Sequence, residues 1–87
     1  MAIEFPPIEA KDGSKMVIAF PAEVNGKRVH CSVSFEALQD NFGGNNIDPM
    51  TCFQEMRPSI EQKAREFIDA GRFEDDGSIV IRSADGA

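Results

Sequence analysis

Residues 15–35 read KMVIAFPAEVNGKRVHCSVSF, a run with the alternation of two strands and a tight turn between them. Apolar side chains occupy even positions before the Asn25 and Gly26 pair (Met16, Ile18, Phe20, Ala22, Val24) and odd positions after it (Val29, Cys31, Val33, Phe35). A period of two marks a strand with one buried face. Asn-Gly is the preferred two-residue hairpin loop because both positions accept a positive φ. The loop pairs Val24 with Lys27, and with it every pair of residues whose numbers sum to 51. The two apolar sets then share one face, and Glu23 meets Arg28 on the other as a favourable cross-strand pair.

The same register settles the most reactive-looking tripeptide in the chain. His30 and Cys31 are strand neighbours and therefore point to opposite faces. They form no catalytic dyad within this strand. Cys31 goes inward against Phe20, and His30, the only histidine, lies opposite Pro21 on the outer face. With no second histidine or orienting partner in view, the reading is an exposed strand histidine.

Outward from the hairpin, Ile3, Phe5 and Ile8 in IEFPPI (residues 3–8) suggest a short first strand that two prolines confine to an edge. Asp12 and Gly13 turn it into the strand at 15–24. Ser34 reads as the N-cap of a short helix running to about Phe42, ended by Gly43 and Gly44. Residues 43–47, GGNNI, read as loop. Asp48 followed by Pro49 reads as the N-cap and first position of a second helix running to about Arg57. Pro58 breaks or bends that helix. Ser59 with Gln62 is a capping-box pattern for a third helix, whose apolar face is Ile60, Ala64, Phe67 and Ile68 and which Gly71 closes. An acidic turn at 74–77 leads into a last strand at 78–83 with Ile79 and Ile81 inward, and the tail 84–87 is expected to fray. The prediction is one α+β domain over residues 1–87, with residues 1–13 as edge strand and turn. Its element order is β-β-β-α-α-α-β, with a mainly antiparallel sheet of about four strands and helices on one face.

The bulk numbers narrow the functional classes. Eighty-seven residues, 41% hydrophobic and 28% charged with seven Phe, make a small globular chain with a modest core. Fifteen acidic against nine basic residues give a net charge of -6, which disfavours nucleic acid and anionic lipid as partners. Glu61, Glu66 and Asp69 interleave with Lys63 and Arg65 at helical spacings, the pattern of a solvated face. The N-terminus carries neither a basic start nor an apolar run, and no window reaches the roughly 18 apolar residues of a membrane span. A cytoplasmic protein with no membrane role is expected. Two cysteines twenty-one positions apart match neither a redox pair nor a zinc ligand set and read as buried free thiols.

Further candidate sites reduce to structure. Residues 74–77 lack the alternating spacing and terminal glutamate of a calcium loop. The glycines at 43 and 44 precede a helix start already occupied by the negative charge of Asp48, which disfavours a phosphate there. Met50 and Met56 fit core filling at helical spacing. No paired carboxylates mark a general acid. No catalytic, cofactor or metal residues are assigned, and no cofactor is expected. The informative surface is the outer sheet face, where Val17, Ala19, Pro21 and Val80 add apolar area around His30.

The blocks VIAFPAEVNGKRVHCSVSFEALQDNFG, DPMTCFQEMRPSIEQKAREFIDAG and DDGSIVIRSAD together resemble the bacterial domain of unknown function 1488 family, over residues 14–85. The resemblance implies a small α+β protein of proteobacterial origin, with no activity and no functional residues to carry over. Pro6 and Pro7 lie outside it. The expectation is a non-enzymatic, cytoplasmic protein-interaction module, in homodimeric form or with another protein partner, using the outer face or an edge strand. The alternatives are a nucleic-acid-associated regulatory role for the helix at 59–72 through Lys63, Arg65 and Arg72, and an enzyme using Cys31 or Cys52 as a thiolate.

Overall fold

The computed structural model describes residues 2–44 and 46–83. Two short strands, β1 (Ile3–Glu4) and β2 (Ala10–Asp12), precede the hairpin of β3 (Val17–Val24) and β4 (Lys27–Ser34). Helices α1 (Phe35–Asn41) and α2 (Pro49–Asp69) follow, and β5 (Ile79–Ile81) is the last element among the described residues. The fold is α+β, with a mostly antiparallel five-stranded sheet.

The hairpin register is the one the loop dictates, with all eight pairs from Val17↔Ser34 to Val24↔Lys27. Asn25 and Gly26 adopt φ of 53° and 83°. Ile18, Phe20, Ala22, Cys31 and Val33 face inward and are buried. The strand starts at Val17 rather than at Lys15, so the expected pairing of Met16 with Phe35 does not form. The Asp12 carboxylate organises the preceding turn by accepting from the backbone N–H of Ser14 and of Lys15 and from the Ser14 hydroxyl. Met16 leaves that turn with φ 57° and a mainly exposed side chain. Only its carbonyl stays engaged, accepting from Phe35 N–H at 2.9 Å.

The N-terminal segment corrects a second expectation. Residues 3–8 are not one strand, because two short strands flank a detour and both pair with β3. Ile3 and Glu4 lie beside Val24 and Glu23, and residues 10–12 lie beside residues 17–19. The strand count rises from about four to five. The gap between them falls at Pro21, and alternation explains why. Asn25 N–H bonds to Ala2 O, so Glu23 and Pro21 direct their backbone groups toward the N-terminal segment while Val24, Ala22 and Phe20 serve β4. Proline has no N–H to offer there, and a strand partner would find no donor. The opposing detour carries two prolines of its own, Pro6 and Pro7.

Arg57 on α2 binds this detour. Its guanidinium donates to Pro6 O at 2.6 Å, more weakly to Ile8 O and Glu9 at 3.4 Å, and to Glu61 at 2.6 Å, and it stacks 5.3 Å from the Phe53 ring. Pro6 O, which also accepts from Ile8 N–H at 2.8 Å, is thereby tied to α2.

The helices also differ from expectation. Ser34 caps α1, its hydroxyl accepting from Ala37 N–H, and Asp48 caps α2, accepting from the N–H groups of Met50 and Thr51. Pro58 does not break α2, however, and the expected second and third helices are one helix of 21 residues. Pro58 and Gln54, whose carbonyl loses its helical partner, are both exposed, so that carbonyl is open to solvent rather than buried without a partner. The buried stripe of Cys52, Phe53, Ile60, Ala64, Phe67 and Ile68 runs past it on the other side, and that packing keeps the helix continuous through the proline. Ser59, expected as a cap, sits exposed within the helix. At the C-terminus Arg72 N–H bonds to Phe67 O and Gly71 N–H to Ile68 O, with Gly71 at φ 69°. This is the glycine stop read from the sequence.

The strand β5 is shorter than 78–83 and pairs parallel to β4, Ile79 beside Cys31 and Ile81 beside Val33. Ile79 and Ile81 are buried as expected, under α2. The crossover through both helices makes the parallel pairing possible. The core is one cluster between the inner sheet face and the two helices, with Phe20 and Phe53 tilted together at 5.3 Å between ring centroids. The expected frayed tail, 84–87, lies outside the described residues, as does Asn45 of the expected loop.

Candidate interaction face

The outer face of the sheet carries alternate residues of four strands. Ala10 lies beside Ala19 and Asp12 beside Val17, while Pro21 lies beside His30 and Ala19 beside Ser32. Val80 continues the row from Ser32. Of the residues expected here, Val17, Ala19, Pro21 and Val80 are half-buried and His30 is exposed. The sheet order brings all five together as one strip, with Ser32 almost fully buried in its middle. Both helices lie on the opposite side.

Three residues of this surface escaped the sequence reading. Ile8, expected in the first strand, is 54% exposed at the edge of the face, and Ala10 belongs to a strand that was not expected. Phe73, 43% exposed, borders the other side of the sheet beside Val80. The available signal for Phe73 was an aromatic residue stranded between the helix-ending Gly71 and an acidic turn. A depression of about 210 Å³ opens among Ile8, Ala10, Ala19, Pro21, Arg28 and His30, where the detour of the N-terminal segment leaves β3 uncovered.

Charges rim the strip. Arg28 binds Glu23 at 2.9 Å across the hairpin, as the register predicted. Arg82 meets Glu74 through two bonds, of 2.9 and 3.2 Å. The Asp76 carboxyl is held below its ordinary range because it accepts from the Ser78 hydroxyl and N–H, with a smaller contribution from the nearby His30.

The nucleophile candidates lie away from this face. Burial pushes the Cys31 thiol up to about 12, and burial with the adjacent Glu55 raises that of Cys52. Both thiols are free and buried, protonated at neutral pH and poor nucleophiles. The basic residues of α2 are occupied as well. Lys63 pairs with Glu66, Arg65 lies over the Phe5 ring at 5.6 Å and, beyond the end of α2, Arg72 lies over the Phe67 ring at 4.2 Å. They form no open stripe for a phosphate backbone, so the nucleic-acid alternative gains no support. Among the described residues no group of three or more His, Cys, Asp or Glu is placed to hold a metal ion, and no helix is long and apolar enough to cross a membrane.

Comparison with known proteins agrees with this architecture. A crystal structure of a protein of unknown function from the DUF1488 family of Shewanella loihica PV-4 superposes with a TM-score of 0.81, at 23% identity, covering 91% of this chain and 90% of that one. The uncharacterized protein YrdB of Escherichia coli K12 is 34% identical over 79 residues, 90% of this chain and 93% of its own. YrdB of Shigella flexneri matches to the same extent. The family model described as a protein of unknown function (DUF1488) matches residues 3–81. That match takes in Pro6 and Pro7, which the sequence reading left outside, and stops short of residue 85. This chain therefore belongs to the DUF1488 family, whose function is unknown.

Proposed function

We propose that this chain is a non-enzymatic protein-interaction module that associates with a second copy of itself through the outer face of its sheet. The observation that carries the reading is the strip of Val17, Ala19, Pro21 and Val80, over which the described residues place no layer while the opposite face packs against both helices. A contiguous apolar strip with a charged rim is the composition of an interface. The face is favoured over the edges because both edges are blunted. On one side β1 and β2 are two and three residues long and separated by prolines. On the other, β5 is three residues long, with the Glu74 to Arg82 ion pair and Phe73 beside it. Short, charged and proline-flanked edges resist strand addition. Two buried thiols that remain free fit a reducing compartment, and the reading places the protein in the cytoplasm.

The test is solution mass by light scattering over a range of concentrations for the wild type and Val17→Lys, with circular dichroism to check folding. A wild-type dimer that becomes a folded monomer on substitution supports the reading. A dimer indifferent to Val17→Lys, or a wild type monomeric throughout, sinks it.

A further inference from the structure

The geometry points to a specific two-fold contact: Phe73 of each copy seated in the depression of the other at Ile8, Ala10, Ala19 and Pro21. This rests on the self-association reading above and adds to it the residue that docks and the place it enters. Three observations carry it.

The first is size and chemistry. The depression, about 210 Å³, exceeds the roughly 150 Å³ cavity that takes up a benzene ring, and Ile8, Ala10, Ala19, Phe20 and Pro21 make most of its lining apolar. Phe73 is 43% exposed in a chain whose other six phenylalanines are buried or half-buried. The second is position. Val80 lies beside Ser32 and Ile79 beside Cys31, so Ser78 continues the row beside His30. Phe73 stands at the β5 margin of the sheet, bordering Ser78 and Val80 as well as Val29 and Phe67, and the depression on the other side of β4 is lined by His30. Knob and depression therefore stand at one level along the strands, on opposite sides of β4. A two-fold axis running along β4 between two stacked outer faces exchanges those sides and forms both contacts at once. Such an interface is self-complementary and closed.

The third is charge. Phe73 is followed directly by Glu74, Asp75 and Asp76, while the depression carries Arg28 and His30 on its rim. Arg28 is held by Glu23 with more than half of its side chain exposed, available to a carboxylate of the opposing copy. An acidic turn thus lands near the basic part of the face, which offsets the repulsion between two chains of charge -6.

Sedimentation equilibrium on wild type, Phe73→Ala and Val17→Lys tests the contact. An aromatic anchor seated in a pocket predicts dimerisation weakened about ten-fold or more by Phe73→Ala. A dimer unchanged by Phe73→Ala but lost in Val17→Lys overturns the Phe73 contact and leaves the face as the interface. A wild-type monomer, or a dimer insensitive to both substitutions, overturns both readings. The direct check mixes Phe73→Cys with Ala10→Cys under mild oxidation, because the native thiols are buried and slow to react. A mixed disulfide linking the two variants is expected, and its absence from a mixture that is dimeric rules the contact out.

Discussion

Replacing Arg57 by alanine removes a side chain that fastens residues 6–8 to α2. The bond to Pro6 O, at 2.6 Å, is short and charge-assisted, and such a bond contributes about 1.5–3 kcal/mol. The pair with Glu61, also 2.6 Å and only partly exposed, adds about 0.5 kcal/mol as an i,i+4 contact. Stacking on Phe53 adds about 0.5–1 kcal/mol. The two 3.4 Å contacts, to Ile8 O and Glu9, are too long to count for much. A loss of about 3 kcal/mol is expected, a large part of the stability of a domain this size. With a urea slope of about 1 kcal/mol/M for a small protein, the unfolding midpoint falls by roughly 3 M. Arg57→Lys recovers only a fraction, since one ammonium cannot reproduce the fork that reaches Pro6 O and Glu61 together. Hydrogen exchange at residues 3–4 and 10–12 accelerates before that of the hairpin, because the detour is what Arg57 holds down. A loss below about 0.5 kcal/mol, or unchanged protection in β1 and β2, refutes the assignment of Arg57 as the clamp.

Other expectations are equally direct. Gly44→Ala places a Cβ 2.8 Å from both Cys52 Sγ and Leu38 O, and overpacking of this kind costs about 1–3 kcal/mol; an unchanged melting temperature would show that the α1 to α2 connection yields freely. Pro58→Ala restores a helical hydrogen bond on the exposed side of α2 and stabilises by about 2 kcal/mol, the helix gain less the rigidity lost from the unfolded chain, which urea unfolding measures. Native protein at pH 7 labels slowly with iodoacetamide at both cysteines, and the denatured chain labels rapidly; fast native labelling near pH 6 would return a thiolate to consideration. The Asp76 carboxyl is lowered from 3.8 on folding, so its contribution is present above that value and is lost as pH falls through the lower folded one. The stability difference between wild type and Asp76→Asn is therefore full at neutral pH and shrinks in acid, and a difference independent of pH contradicts the role of the charge.

The hairpin was legible because everything that specifies it lies within residues 15–35. The loop chemistry of Asn25 and Gly26 sets the register, the alternation assigns the faces, and Glu23 with Arg28 agrees with both. The caps at Ser34 and Asp48 and the stop at Gly71 are equally local, since each satisfies backbone groups within three or four residues. Four residues of the outer strip followed from the same alternation. Their role as an interface did not, because exposure on a face says nothing about what covers it.

Neighbouring residues decide among themselves where the hairpin turns, which side of each long strand is buried, and where α1 and α2 start. The continuity of α2 was a tertiary decision, because the cost of Pro58 is met by packing of Phe53, Ile60 and Ala64 that no local rule weighs. The split of the N-terminal segment was another. Its Pro6 carbonyl is bound by Arg57, some fifty residues away, and its gap falls opposite Pro21, a position known only once the strands are side by side. The parallel pairing of β5, the depression between Ile8 and His30, and the placement of Phe73 across β4 from it arise the same way. Each depends on contacts between distant segments, whose geometry is fixed by the packing of the whole core.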